Sequence, residues 1–160
     1  SAEVHGMGFT QPPQVSVQAT DQSPLTYEWS DDEGADKVWY TGESKTFTED
    51  GAHECWFRVI DSIGNAVIVS GIVNLDRSLP TLTVTGGSGW SNTTPQEITC
   101  RASDALSGIA QFETRLGADG VWEACKNPDG TNRLDSITFT YESDGVFERS
   151  FRAVDTAGNA

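Results

Sequence analysis

Phe57-Arg58-Val59-Ile60-Asp61-Ser62-Ile63-Gly64-Asn65-Ala66 returns later in the chain as Phe151-Arg152-Ala153-Val154-Asp155-Thr156-Ala157-Gly158-Asn159-Ala160. Each copy opens on an alternation of period 2, the pattern of a half-buried strand. Each then runs into Asp-x-x-Gly-Asn. The aspartate is placed to accept backbone N–H groups, and the glycine to take the left-handed conformation that follows a type I turn. Asp61, Gly64 and Asn65, like Asp155, Gly158 and Asn159, are therefore assigned to architecture: they bend the backbone of a tight hairpin.

The match extends upstream. Thr46-Phe47-Thr48 before Asp50-Gly51 returns as Thr138-Phe139-Thr140 before Asp144-Gly145. Val38-Trp39 returns as Val121-Trp122, and Tyr27-Glu28 as Phe112-Glu113. Pro12, Val15, Val17, Ala19 and Asp21 correspond to Pro95, Ile98, Cys100, Ala102 and Asp104. Two copies of one unit, about 80 residues each, account for the chain. The expected domains are residues 1–77 and 78–160.

Both units read as β throughout. Val15, Val17 and Ala19 share a face, as do Ile98, Cys100 and Ala102. No useful 3.6-residue period occurs, and Gly, Pro, Asn, Asp and Ser punctuate the chain at the spacing of a sandwich. After Gly64-Asn65 the first unit continues through the apolar run 66–73, which closes its sheet beside Phe57. The second copy stops at Ala160, directly after the same corner. It is expected to lack that closing strand, to leave an edge unpaired along residues 146–154, and to come from a protein that runs on.

The chain has 160 residues, 24 acidic and 10 basic, for a net charge of −14. Such acidity argues against nucleic acid and anionic membrane. The apolar runs are far shorter than the roughly 20 residues of a spanning helix, and no signal peptide is visible. Cys55, Cys100 and Cys125 are an odd number without zinc spacing. They read as buried thiols, with a Cys100–Cys125 bridge as the alternative that implies an oxidising compartment.

Catalytic candidates are few. The two histidines are His5, in an N-terminal Gly-containing stretch, and His53, which aligns with Phe147 as a half-buried strand residue. No nucleophile elbow, Cys/His pair, zinc-protease motif or phosphate loop occurs. The carboxylate runs 31–33 and 49–50 read as a solvated acidic face, since tuned carboxylates need burial. The expectation is no enzyme. Asp21, Asp61, Asp76, Asp104 and Asp155 fall where domain ends could gather them for inter-domain calcium. No D-x-D-x-D-G spacing supports that, and turn chemistry already explains the corner aspartates, so no cofactor is expected.

The aromatic residues point to surfaces. Trp39 and Trp122 recur, which marks shared packing, and Trp29 alternates with Leu25 and Tyr27 toward the core. Trp90 sits in the flexible stretch 86–92. Trp56 has outward parity, where the second copy has Ser150, and an exposed Trp on a sheet is typical of a binding hot spot. Cover by loop residues or the neighbouring domain is the alternative. Arg149 falls on the inward parity, aligned with Cys55, so either a bulge shifts the register or the parity fails in one copy. Trp56, Trp90 and Arg149 are the candidate partner contacts.

Asp104-Ala105-Leu106-Ser107-Gly108-Ile109, followed by an aromatic strand, a Trp, an Asp-Gly turn and the 151–160 corner, resembles the bacterial Ig-like repeats of secreted and cell-wall-attached surface proteins. The likeness covers the second unit and, more weakly, the first, where Asp21-Gln22-Ser23-Pro24 departs from the D-x-x-S-G loop. Residues 74–81 look like the joint between successive copies in such arrays. The resemblance implies two tandem Ig-like β-sandwich domains, an extracellular parent with further repeats, and a non-catalytic interaction module binding a host or bacterial surface protein. Host immunoglobulin, held in a superantigen-like manner, is the specific version. A stalk or spacer repeat is the rival reading, favoured by self-repelling charge, and carbohydrate binding is a third.

Overall fold

The computed structural model of the chain describes residues 1–5, 8–9 and 14–160, with the backbone alone for 5, 8 and 9. Pro12 and the side chain of His5 lie outside the described residues. The regular structure described is all β, and no helix there is long and apolar enough to cross a membrane. The chain divides into two compact units, Ser1–Arg77 and Ser78–Ala160, and each is an Ig-like sandwich of two sheets.

The first unit contains β1 (Ala2–His5), β2 (Gly8–Phe9), β3 (Gln14–Ala19), β4 (Leu25–Ser30), β5 (Tyr40–Thr41), β6 (Ser44–Thr46), β7 (Gly51–Asp61) and β8 (Ala66–Leu75). One sheet has the order β1-β3-β6, the other β2-β8-β7-β4-β5. All pairs are antiparallel except β2 with β8. The alternation seen in the sequence becomes the core: Val15 and Val17 of one sheet meet Cys55, Phe57, Val59 and Val73 of the other. Leu25, Tyr27 and Trp29 pack around them.

The second unit contains β9 (Thr81–Gly86), β10 (Gln96–Ser103), β11 (Ile109–Leu116), β12 (Glu123–Ala124), β13 (Ser136–Tyr141) and β14 (Arg149–Asp155). Its sheets, β13-β10-β9 and β12-β11-β14, repeat those of the first unit, with no strand among the described residues in the place of β8. Cys100, Ala102, Phe112, Cys125 and Ala153 form its core. The pattern of large residues differs between copies for this reason. Phe57, covered by Val69 across the β7–β8 ladder, is fully buried. Its repeat partner Phe151 has no such neighbour and stays half-buried, while Phe112, on β11, becomes the buried ring.

The corners are built as the sequence indicates. Asp61 Oδ1 accepts the Ile63 and Asn65 N–H groups at 3.0 and 2.8 Å, and Oδ2 accepts the Asn65 side-chain amide at 2.8 Å. Asp155 holds Asn159 through the same two atoms at 2.8 Å each. Gly64 and Gly158 have φ of +93° and +95°, the left-handed region where Cβ is penalised.

Candidate functional site

Arg149 enters the core side of the second sandwich without a bulge: β14 stays in register with β11 through Leu116↔Arg149, and the one irregularity lies at Ile109/Gln111. Both parities are therefore intact. The guanidinium is accommodated because its carbon sits 3.6 Å from the Phe139 ring centroid, Nε donates to Tyr141 Oη at 2.9 Å and Nη1 to Thr114 Oγ1 at 3.4 Å. Arg149 is thus tied up inside its own unit.

Trp56 points outward and is half-buried, because Lys37 Nζ lies 3.3 Å over its ring centroid. Loop cover, the alternative considered for this residue, is what the structure places there. Trp90 is different: it is 90% exposed and borders a cavity of about 480 Å³ in the second unit.

His53 stacks on Phe47 with centroids 4.6 Å apart and places Nε2 2.6 Å from the Glu49 carbonyl oxygen. Among the described residues no nucleophile or carboxylate hydrogen-bonds to it, and its geometry is that of a packed ring. The three cysteines are buried free thiols, and Cys100 and Cys125 share one core. Burial pushes the Cys55 thiol up to about 12 and those of Cys100 and Cys125 up to about 11. Thiols held protonated in this way are poor nucleophiles.

Asp21, Asp61, Asp104 and Asp155 serve as turn acceptors. Asp104 Oδ1 accepts the N–H groups of Leu106, Ser107 and Gly108 at 2.8 to 3.0 Å. Asp21 Oδ1 accepts the Ser23 N–H and hydroxyl at 2.9 Å each, in the loop that departs from D-x-x-S-G. In the second unit this loop docks on the corner: Thr156 N–H donates to the Gly108 carbonyl at 2.9 Å and Ala157 N–H to Ser107 Oγ at 3.4 Å. Asp104 and Asp155 consequently bring a carboxylate oxygen each to within 4.8 Å of one another.

Among the described residues, no strand pairs with the outer edge of β14. Phe112 gives its carbonyl to Cys125 N–H at 2.9 Å, on the side away from β14. The facing residue Ala153, and Phe151 two residues before it, therefore turn their own N–H and C=O groups away from β11. A groove of mixed character runs beside them, lined by Pro80, Leu82, Phe151 and Ala153 and also by the Glu113 and Arg152 side chains.

No family model matches the chain, and no curated protein matches it. Among solved structures, it is similar to the fibronectin(III)-like modules of Clostridium thermocellum CbhA, with 19% identity over 99% of this chain and 88% of that one and a TM-score of 0.46.

Proposed function

We propose that the chain is a non-catalytic interaction module of an extracellular bacterial surface protein, and that the β14 edge of its second unit accepts an added strand, supplied by a partner protein or by residues of the parent protein that follow Ala160. The observation that carries this is the outer edge of β14, which no strand among the described residues covers. Unpaired edge groups are a template for another strand, and main-chain bonds supply the affinity in such complexes. A template for the occupant comes from the first unit, where β8 lies on β7 in unbroken register from Ile60↔Ala66 to Gly51↔Leu75 and brings Val73 and Leu75 into the core. An extended segment with apolar residues at alternate positions fits the equivalent groove. Host immunoglobulin, itself built of edged sandwiches, is the specific partner this reading names.

A synthetic peptide with the sequence of Ala66–Leu75, titrated into the full chain, tests the edge. Saturable binding that is lost in Ala153→Pro is expected, because proline removes an outward N–H without taking a bond from the β11 ladder. A melting curve on the variant, and a peptide carrying proline at alternate positions, guard against a folding artefact. Absence of binding to the parent chain overturns strand addition and leaves the spacer reading, which the charge of −14 favours. Purified immunoglobulin, measured against the same variant, tests the specific partner.

A further inference from the structure

We propose that the cavity beneath Trp90 is a binding site for a neutral carbohydrate. It lies wholly within the second unit, between the loop of residues 87–95 and the loop of residues 142–148. Its volume, about 480 Å³, falls in the range of small-molecule sites, roughly 300 to 1,000 Å³.

The loops are built to hold it open. A Cβ on Gly86 would lie 2.2 Å from the Glu97 carbonyl oxygen, and one on Gly87 would lie 2.6 Å from the Ile98 side chain. Only glycines allow the loop to close on β10, and at φ of +85° and +62° only they adopt its path without strain. Gln96 Nε2 donates to the Thr93 carbonyl at 2.8 Å, and Ser91 Oγ accepts the Thr93 N–H at 3.2 Å, so the far side of the loop is braced. On the other loop, Gly145 leaves room for Phe147, whose ring would lie 3.2 Å from a Cβ at that position. Phe147 stacks on Tyr141 with centroids 4.4 Å apart.

The lining selects the ligand class. Trp90, Tyr141 and Phe147 offer apolar ring surface, while Thr93, Gln96 and Asp144 offer hydroxyl, amide and carboxylate groups. A sugar ring presents the complementary mixture, C–H groups on its faces and hydroxyls around its rim. Among the described residues no Lys, Arg or His lines the cavity and Asp144 is its one charged side chain, so phosphates and acidic ligands are disfavoured. A quaternary ammonium needs rings on several sides, as in an aromatic cage. Tyr141 and Phe147 instead lie 24° from parallel and stacked on each other, a platform rather than a box.

This site is separate from the β14 edge, and the two proposals fail independently. The full chain is titrated with lactose, maltose and N,N′-diacetylchitobiose, each to about 10 mM, with choline and inorganic phosphate alongside. The readout is the Trp90 indole N–H and the amides of residues 87–96 and 142–148 by NMR. At least one neutral disaccharide shifts these signals saturably. Trp90→Ala, at an exposed position, weakens the binding about tenfold, whereas Trp56→Ala in the other unit leaves it unchanged. The proposal is overturned if none of the three sugars shifts the signals, if choline or phosphate does so in their place, or if Trp90→Ala binds as tightly as the parent.

Discussion

Arg152 lies over the indole of Trp122, its guanidinium carbon 4.5 Å from the ring centroid. The same guanidinium donates through Nε to Glu113 Oε2 at 2.6 Å. Arg58 repeats both contacts, over Trp39 at 4.5 Å and to Glu28 at 2.6 Å. Glu28↔Arg58 and Glu113↔Arg152 face each other across β4–β7 and β11–β14, so cross-strand register creates the ion pair and the recurring Trp covers it. Removing Arg58 by Arg58→Ala is expected to cost about 1 kcal/mol in urea unfolding, with the more exposed Arg152→Ala costing less. A double-mutant cycle with Glu28→Gln checks it; zero coupling would mean that the pair is decorative.

The Asp61 corner carries a pH signature. The Asn65 side-chain amide holds its carboxyl below the usual range, against desolvation, and the Asn65 and Ile63 N–H groups add to this. Asp21 is lowered by the Ser23 N–H and hydroxyl. A depressed folded pKa contributes stability that is complete above the unfolded value, about 3.9, and is lost as pH falls through the folded one. Melting temperature should therefore fall below about pH 4, and less steeply in Asp61→Asn. An identical slope in the variant would contradict the assignment.

Burial makes a redox prediction. With thiols pushed up to about 12 and about 11, Cys55, Cys100 and Cys125 should resist a thiol reagent at pH 8 in the folded chain and react on denaturation. Mass spectrometry of the alkylated chain counts them. Rapid labelling of the native protein at any of the three would show that its core is open.

Phe57→Ala and Phe112→Ala each remove a buried ring, one per sandwich, and should cost about 3 to 5 kcal/mol. Phe151→Ala, at the half-buried repeat position, should cost clearly less than Phe57→Ala. Equal losses at 57 and 151 would mean that β8 contributes nothing to how its neighbour is buried. Chemical denaturation measures the difference.

The repeat made the strands, the inward faces and both Asp-to-Asn corners legible from sequence. Alternation reports which side of a sheet a residue faces, but not which distant loop crosses that side. Trp56 shows the limit: its outward parity is right, yet Lys37, 19 residues earlier, covers it. Arg149 looked anomalous because its partners, Tyr141 and Phe139, lie on another strand and in the other sheet. The ion pairs were present in the matched Tyr27-Glu28 and Phe112-Glu113 segments, and became readable once Arg58 and Arg152 stood opposite. The Trp90 cavity needs two loops about 50 residues apart to meet, which no local pattern encodes.

Residue-resolved hydrogen exchange at Phe151 and Ala153 tests the interaction account most directly. Both amides should exchange rapidly in the free chain and become protected when the Ala66–Leu75 peptide is added, while the β11–β14 ladder amides stay protected throughout. Amides at 151 and 153 that are slow from the outset, or that remain fast at saturating peptide, would contradict strand addition at this edge.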